Sequence, residues 1–422
     1  MNIVISKAIR LLVGMVILLN VQNSFSQQRS DTVYHVIMYG QSLMLGTGSV
    51  PLLSVKQQYN TLMFSGGIRS GYDADSNYHG SLVSLTEKIS ISKASGGKLG
   101  ETPASGFSEE FNSLLGRSWS NHLLLSSPAQ GSTSIAALTE SGIYWDRFKN
   151  DIIKANRLVL AMGKKYNVPF VLWNQGEKDI DIKTSADSYK ISMKRFQQKA
   201  DEFIKSVTGQ KNAVKILMYQ TASHNVRKAM GNPEIANAQY ELAKTEANIT
   251  ISNATYQLPY IKDNVHLTNI GSKWNGANHA IAAKALLIDN ANWKPIYMEG
   301  IAAAKNVIVL KFHVPAPPLV FDEINVTNPG NYGFRVFNKA GKELSIKNVH
   351  IKNEDKVYIT TEEELNKGDL LWYGNNGTTT GALNGARGNL RDTQGNKLTI
   401  EIGGKIIRLD NWCPIFKEEI YK

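Results

Sequence analysis

Cysteine is almost missing from this chain of 422 residues, in which Cys413 is the one example. A single thiol cannot form a disulfide within the chain or a zinc site built from cysteines, because each needs more than one thiolate. The composition also lacks the long biased tracts of disordered or collagenous chains, with 12 proline and 34 glycine residues. The stability of the fold must therefore come from packing.

A compact block of basic residues is missing as well, although the formal net charge is +11. Residues such as Lys205, Lys211, Lys215, Lys347 and Lys352 are scattered among acidic and apolar neighbours. Nucleic-acid binding needs a concentrated basic surface that follows the phosphates. We therefore expect a solvated basic surface and no nucleic-acid partner.

The apolar run near the N terminus is too short to span a bilayer. It covers Leu11–Leu19, whereas a membrane-spanning helix needs about 20 residues. Lys7 and Arg10 precede this run and Ser24-Phe25-Ser26 follows it, which is the pattern of a cleaved signal peptide. We expect residues 1–26 to be removed, giving a secreted or periplasmic protein without stable membrane insertion. An uncleaved membrane anchor is the alternative.

Residues 27–292 are expected to form an α/β domain. Their apolar β-type runs alternate with helix-type runs, which is typical of a parallel sheet flanked by helices. Short, continuously apolar strands indicate burial on both faces. Residues 66–106 are rich in Gly, Ser and Lys, and we expect long loops there. Strands are predicted at Tyr34–Tyr39, Leu123–Leu125, Val168–Trp173, Val214–Tyr219 and Ile249–Ile251, and helices at Tyr144–Met162, Ser185–Val207, Glu234–Ala247 and Ile270–Ile288.

Residues 293–422 have a different pattern, with short alternating strands separated by turn residues. Asn328-Pro329-Gly330 and Asn375-Asn376-Gly377 are two of these turns. The pattern predicts a small all-β sandwich as an accessory domain. Strands are predicted at Val307–Phe312, Tyr332–Phe337, Val357–Thr361 and Leu370–Trp372.

The first predicted strand ends in Gly40-Gln41-Ser42-Leu43. Ser42 therefore lies where a strand delivers a side chain to the edge of the sheet at which ligands bind in such folds. A serine at this position is either a nucleophile or the N-cap of a following helix.

Asp263-Asn264-Val265-His266 precedes the last predicted helix of the α/β domain. Acyl transfer by serine needs an imidazole to take its proton, and that imidazole needs an acceptor on its other nitrogen. Asp263 can supply this acceptor to His266 from the same loop. The alternative is a surface histidine beside a capping aspartate.

Two further segments follow predicted strands. In Trp173-Asn174-Gln175-Gly176-Glu177-Lys178-Asp179, the Gln175 amide can donate to a developing oxyanion. Glu177 and Asp179 could instead be the acid pair of an inverting glycosidase. Gln130-Gly131-Ser132-Thr133-Ser134 could present the backbone N–H of Gly131, or be an ordinary strand-to-helix turn.

Together the four segments resemble the SGNH (GDSL-like) hydrolase superfamily. Gly40-Gln41-Ser42-Leu43 and Trp-x-Gln-Gly-Glu-x-Asp at residues 173–179 are similar to the sialate O-acetylesterase and acetylxylan-esterase-like carbohydrate esterases. The resemblance covers about residues 33–285 and implies a three-layer, flavodoxin-like α/β fold. Two positions depart from the sialate branch, which has Asn where this chain has Leu43 and Gly where it has Gln130.

The resemblance also implies a role for each site residue. Ser42 is expected to be the nucleophile, His266 the base and acid, and Asp263 the group that orients His266. The oxyanion hole is expected to consist of the Ser42 and Gly131 backbone N–H groups with the Gln175 side chain. Supporting roles are assigned to Gln41, Glu177 and Asp179.

The sequence thus predicts a secreted serine esterase that removes O-acetyl groups from a sugar or glycan through an acetyl-enzyme. No metal and no cofactor are expected, because the chain has neither a His-x-x-x-His motif nor a pair of cysteines. The alternative is a non-catalytic carbohydrate-binding surface protein with a degenerate hydrolase fold. In that protein Trp372-Tyr373-Gly374-Asn375-Asn376 and Trp412 would form a platform for sugars.

Overall fold

A computed structural model describes residues 31–56, 59–73, 77–92, 96–116, 119–227 and 231–420. The predicted signal peptide, residues 1–26, lies outside these described ranges. Within them, no helix is both long enough and apolar enough to cross a membrane. We refer to residues 31–292 as the α/β region and to residues 293–420 as the β region.

The α/β region is built on a seven-stranded sheet in the order β3-β2-β6-β1-β7-β8-β9. All neighbouring strands are parallel except β3, which pairs antiparallel with β2 at the edge. The five strands β6-β1-β7-β8-β9 have the 2-1-3-4-5 order of a flavodoxin-like sheet. The strands are β1 Thr32–Gly40, β2 Thr61–Phe64, β3 Leu82–Ser84, β6 His122–Ser126, β7 Lys165–Asn174, β8 Lys215–Gln220 and β9 Ile249–Ala254, with a separate ribbon of β4 Ser90–Ile91 and β5 Lys98–Leu99.

Helices cover both faces of this sheet. Successive strand residues point to opposite faces, so Ile37 and Tyr39 of β1 join one apolar cluster while Val36 and Met38 join the other. The first cluster includes residues of α3, α5 and α6, and the second includes residues of α1 and α7. The helices are α1 Pro103–Leu115, α2 Ile135–Thr139, α3 Ile143–Ala161, α4 Glu177–Asp181, α5 Ala186–Thr208, α6 Glu234–Thr245 and α7 Asn269–Leu287.

The three-layer α/β arrangement predicted from the sequence is confirmed, but two local expectations were wrong. The sheet carries the antiparallel edge strand β3, and residues 66–106 contain β3, β4, β5 and the start of α1 rather than loops alone. The signals for α1 are short: Thr102 caps its N terminus by accepting the Ala104 N–H at 3.1 Å, and Pro103 fits its first position. A Gly- and Ser-rich sequence with little periodicity hides such elements.

Two glycines allow α1 and α7 to lie in direct contact. A Cβ atom added to Gly106 would come within 1.8 Å of the Lys273 carbonyl oxygen, and one added to Gly276 within 1.9 Å of the Pro103 carbonyl oxygen. These contacts involve backbone atoms, which a side-chain rotation cannot relieve. The small residues therefore fix the position of α7, the helix that follows the predicted Asp263–His266 segment.

The β region contains two four-stranded antiparallel sheets, ordered β10-β11-β16-β15 and β14-β13-β17-β21. Two short ribbons, β12-β18 and β19-β20, complete it. The predicted change to short alternating strands is confirmed. The strands are β10 Tyr297–Ala304, β11 Val307–His313, β12 Val320–Phe321, β13 Phe334–Phe337, β14 Glu343–Leu344, β15 Ile346–Lys352, β16 Lys356–Thr361, β17 Leu370–Tyr373, β18 Leu390–Arg391, β19 Thr399–Ile402, β20 Lys405–Arg408 and β21 Phe416–Glu419.

The two regions share one continuous apolar core. The ring of Phe416 in β21 stacks on that of Tyr240 in α6 at a centroid distance of 5.4 Å. Beside it, the buried Gln220 amide donates to the Ile415 carbonyl and accepts the Ile415 N–H, both at 2.7 Å. The β region is therefore joined to the α/β region by apolar and polar contacts, while the division into separate domains at residue 293 stays a prediction.

We expect Gly276→Ala to lower the free energy of unfolding, by about 1–3 kcal/mol, because the added methyl group forces α1 and α7 apart. Gly300→Ala is the matched control, since a Cβ atom there meets nothing within 4 Å. Urea denaturation of both variants measures the difference. Equal stability of the two variants would show that the α1–α7 contact is not tightly packed.

Candidate active site

Ser42 lies in a turn directly after β1 that depends on Gly40. Gly40 has φ +140°, and an added Cβ atom would come within 2.2 Å of the Asn174 carbonyl oxygen at the end of β7. That same carbonyl accepts the Gln41 N–H at 2.8 Å. The turn is therefore pressed against the neighbouring strand, and the Ser42 side chain is held at the carboxyl edge of the sheet with 8% of its surface exposed.

Residues 259–268, the histidine loop, form the second part of the connection from β9 to α7. Backbone hydrogen bonds from the Ile261 N–H to the His266 carbonyl, at 2.8 Å, and from the Thr268 N–H to the Pro259 carbonyl, at 2.9 Å, tie its two halves together. Asn264 at its tip has φ 58°, a left-handed conformation that asparagine tolerates better than most residues. The loop thereby places Asp263 and His266 side by side.

Ser42, His266 and Asp263 form one hydrogen-bonded chain in this structure. His266 Nε2 lies 2.8 Å from Ser42 Oγ, and His266 Nδ1 lies 2.6 Å from Asp263 Oδ2. The other carboxylate oxygen, Oδ1, accepts the backbone N–H groups of Val265 and His266, both at 2.9 Å. The arrangement suits proton transfer from the serine hydroxyl to the imidazole.

Asp263 is held in its charged form. Partial burial opposes its ionisation, but the hydrogen bonds from the His266 ring and from the two backbone N–H groups outweigh burial and lower the pKa of the Asp263 carboxyl. The carboxylate can therefore stabilise a positive charge on His266 and keep its ring oriented.

The backbone groups predicted to bind an oxyanion lie beside Ser42. The Ser42 N–H finds no acceptor among the described residues. The Gly131 N–H donates to the Tyr72 hydroxyl at 3.1 Å, and a Cβ atom on Gly131 would lie 3.5 Å from that hydroxyl and 3.9 Å from Ser42 Cβ. An oxyanion that used the Gly131 N–H would take the place of the Tyr72 hydroxyl.

Gln175 is fully buried and its amide is already hydrogen-bonded. Its Nε2 group donates to the Thr133 carbonyl at 3.3 Å and to Asp179 Oδ2, and its Oε1 accepts the Tyr189 hydroxyl at 3.2 Å. To donate to an oxyanion, this amide would have to give up one of the bonds that it makes here. Its role in the oxyanion hole stays a prediction.

The other residues predicted as supports are internal. Glu177 accepts the Tyr219 hydroxyl at 2.6 Å and the Thr221 hydroxyl at 2.7 Å. Asp179 accepts from the Ile135 N–H at 2.8 Å, the Thr184 hydroxyl at 2.7 Å and the Gln175 amide. Gln41 Oε1 accepts a hydrogen bond from the Lys178 N–H at 3.3 Å.

These contacts bear on the glycosidase alternative. Both oxygens of Glu177 and both oxygens of Asp179 accept hydrogen bonds from the protein, and the two side chains are 2% and 1% exposed. Burial raises the pKa of Asp179 in spite of its hydrogen bonds. The carboxylates tie the segment after β7 to its neighbours, and the engagement of their oxygens with protein donors is unlike the free acid pair that a glycosidase needs.

A comparison with known families places this chain in one of them. The family model for the carbohydrate esterase, sialic acid-specific acetylesterase, matches residues 32–285, which is more than half of the chain. This chain belongs to that family. No match to a curated protein was found.

Solved structures that resemble this chain were also found. A carbohydrate acetylesterase from Xanthomonas citri is 15% identical with a TM-score of 0.58, and the match covers 92% of this chain and 80% of that one. A protein from Arabidopsis thaliana (20% identity, TM-score 0.46) covers 60% of this chain and 97% of its own. NanS (15% identity, TM-score 0.39) covers 54% and 78%. The similarity to the Xanthomonas structure is a similarity of fold.

Membership of this family makes the protein a carbohydrate esterase, and removal of O-acetyl groups from sugars is the general activity that the family supports. Within the described residues, no three His, Cys, Asp or Glu side chains come together as a metal site requires.

The esterase also has a buried arginine beside the turn that carries Ser42, and sequence reasoning missed it. Arg69 is fully buried, donates to the Leu45 carbonyl at 2.8 Å, and pairs with Asp73 at 3.2 Å. Glu87 lies 3.7 Å away, and burial together with the nearby Glu101 raises the pKa of Glu87 to about 8. Arg69 thus links the turn after Ser42 to the long segment before α1. The sequence around Arg69 contains no motif that indicates this role.

The sugar platform proposed in the binding alternative is largely internal. Tyr373 is fully buried and its hydroxyl accepts the Leu390 N–H at 2.9 Å. Trp412 is 4% exposed, and Asn375 Oδ1 lies 2.8 Å from Nε2 of the buried His224. Tyr373, Asn375 and Trp412 therefore pack the β region and its contact with the α/β region, whereas Trp372 and Asn376 of the same platform are only half-buried.

We expect Asp263→Asn to lower kcat by about 10⁴-fold, the order found when a triad carboxylate is replaced by its amide. The amide keeps the shape but offers His266 Nδ1 a donor in place of an acceptor. Acetate release from p-nitrophenyl acetate measures this loss. The control is Lys262→Gln, an exposed neighbour whose side chain makes no hydrogen bond with His266 within the described structure. A kcat that stays within tenfold of the unmodified enzyme would show that Asp263 does not orient the base.

Proposed function

We propose that this carbohydrate esterase is a secreted serine esterase that removes O-acetyl groups from a sugar or glycan through an acetyl-enzyme. The observation that carries the proposal is the chain of contacts from Ser42 Oγ to His266 Nε2, at 2.8 Å, and from His266 Nδ1 to Asp263, at 2.6 Å. A non-catalytic protein would have no need to keep these three side chains hydrogen-bonded to one another.

In the first step, Ser42 Oγ attacks the acetyl carbonyl carbon while His266 Nε2 takes the hydroxyl proton. The bond between the carbonyl carbon and the sugar oxygen then breaks, and the sugar oxygen leaves with the proton from His266. A water molecule repeats the sequence on the acetyl-enzyme, so that acetate leaves and Ser42 regains its proton. Asp263 remains ionised throughout and steadies the positively charged imidazole.

The tetrahedral oxyanion is assigned to the backbone N–H groups of Ser42 and Gly131. The Ser42 N–H has no other acceptor among the described residues, and the Gly131 N–H becomes available when the Tyr72 hydroxyl moves aside. Gln175 is retained as a third donor, and its amide must first give up its hydrogen bond to the Thr133 carbonyl or to Asp179. Removing one such donor costs about 10²- to 10³-fold in turnover.

We expect the esterase to release acetate from p-nitrophenyl acetate and from acetylated glycans, and Ser42→Ala to abolish that release. The loss should exceed 10⁴-fold, because removal of a triad nucleophile leaves only binding and oxyanion stabilisation. Ser206→Ala, on the exposed face of α5, is the matched control. Release that survives in Ser42→Ala would contradict the serine mechanism, and no release by either protein would contradict the esterase proposal.

Secretion is the second part of the proposal and rests on the sequence of residues 1–26. We expect the protein from a secreting host to lack these residues and to begin at Gln27, because Ser24 and Ser26 occupy the cleavage positions. Intact-mass measurement of the exported protein tests this. A mass that still includes residues 1–26 would indicate a retained anchor.

A further inference from the structure

A groove with a volume of about 510 Å³ lies where the histidine loop meets the β region. One wall consists of residues 257–260 with Asn264 and Trp274, and the other of Asn325 with residues 379–384 of the β region. The groove is large enough for one or two sugar rings, since ligand sites begin at about 300 Å³.

The groove is built onto the loop that carries His266. Thr380, itself 8% exposed, donates its hydroxyl proton to the Asn264 carbonyl at 2.8 Å. Asn264 lies between Asp263 and His266 in sequence and lines the groove. His266 of this loop therefore meets Ser42, while Asn264 of the same loop forms part of a wall of the groove.

The groove is also close to the turn that carries Ser42. Leu43, the residue after Ser42, belongs to an apolar cluster with Leu258, and Tyr260 and Trp274 pack against that cluster. Leu258, Tyr260 and Trp274 all line the groove. The groove therefore borders the apolar cluster that contains the residue after Ser42.

The chemistry of the lining is that of a site for neutral sugars. Tyr260 and Trp274 supply aromatic rings, Asn264, Asn325 and Asn384 supply amides, and Thr379 supplies a hydroxyl. Within the described residues, no charged side chain lines the groove, although 20% of the chain is Asp, Glu, Lys or Arg. Recognition of a sugar carboxylate favours a charge-assisted partner, and arginine is the usual one.

Two lining residues have polar atoms without a partner. Gln257 Oε1 is a buried acceptor and Trp274 Nε1 is a buried donor, and neither makes a hydrogen bond within the described structure. Buried polar groups are normally satisfied. A hydroxyl group both donates and accepts, so a sugar hydroxyl admitted by a small side-chain adjustment could pair with either atom.

We propose that this groove is a subsite for neutral sugar residues, so that the esterase acts on acetylated neutral oligosaccharides rather than on free acetylated sialic acid. The inference rests on the proposed function, because it extends the substrate from the acetyl group to the glycan that carries it. The proposal also assigns substrate binding to the β region, since residues 379–384 form much of one wall of the groove.

The first test compares chain lengths in the unmodified enzyme. We expect KM to fall at least tenfold from acetylated monosaccharides to acetylated tetrasaccharides of xylose, mannose or glucose, and we expect these tetrasaccharides to be better substrates than O-acetylated sialic acid. A KM that does not change with length, or a preference for O-acetylated sialic acid, would overturn the proposal.

The second test removes a side chain from the groove. Asn384 is exposed and its amide makes no hydrogen bond to another described residue, so Asn384→Ala should fold normally. We expect it to raise KM for the acetylated tetrasaccharides about three- to tenfold, the effect of one lost hydrogen bond, relative to KM for p-nitrophenyl acetate. Asn348→Ala, an exposed asparagine of β15 outside the groove, is the control. An equal change with both ester types would overturn the subsite.

A third measurement separates the subsite from the esterase mechanism. Calorimetric titration of Ser42→Ala with unacetylated xylo-, manno- and gluco-tetraose measures sugar binding without catalysis. Binding that weakens in the Ser42→Ala/Asn384→Ala double variant supports the groove even if no ester is hydrolysed. If p-nitrophenyl acetate is hydrolysed but none of the three tetraoses binds, the groove proposal fails and the esterase proposal stands.

Discussion

The hydrogen bond between Ser42 and His266 joins the two ends of the α/β region, and the candidate site depends on it. The two residues are 224 positions apart in sequence, and their side chains lie 2.8 Å apart. A distance this short requires that β1 and the loop after β9 open at the same edge of one parallel sheet. Gly40 sets the position of the serine by letting its turn lie against Asn174. Gly106 and Gly276 set the position of α7, the helix that directly follows the histidine loop.

Separate sets of contacts position the His266 side and the Ser42 side of this bond. Asp263 keeps one imidazole nitrogen occupied, the backbone of residues 259–268 keeps Asp263 beside His266, and Thr380 holds the tip of that loop from the β region. On the serine side, buried Arg69 holds the Leu45 carbonyl. The β region therefore touches the proposed machinery through the histidine loop, which is the physical reason for treating it as part of the substrate-binding surface.

Much of this arrangement could be predicted from the sequence because it depends on local signals. The strand before Ser42, the Asp263-x-x-His266 spacing and the alternation of strands and helices are all contained in short segments, and the structure brings these segments to one edge of the sheet. The helix α1 was missed because its segment is rich in Gly and Ser, and small residues that serve helix contact look like loop residues in a sequence.

The remaining parts depend on tertiary contacts that leave no local mark. Tyr72 reaches Gly131, Arg69 reaches Leu45, and Thr380 reaches Asn264 across 116 residues. Gln175, Glu177 and Asp179 could be seen as polar residues after a strand, but only the structure shows that their side chains are turned inward. Pattern alone does not tell a polar side chain that faces substrate from one that ties two loops together.

The proposed mechanism requires Ser42 Oγ to become covalently acetylated. The most direct measurement is peptide mass spectrometry of the mature protein after reaction with an alkyl phosphonofluoridate, which traps an activated serine in the geometry of the oxyanion intermediate. We expect a single adduct on the peptide that contains Ser42 and none in His266→Ala, whose serine has no base. An unmodified Ser42 peptide, or an adduct on another serine, would contradict the account.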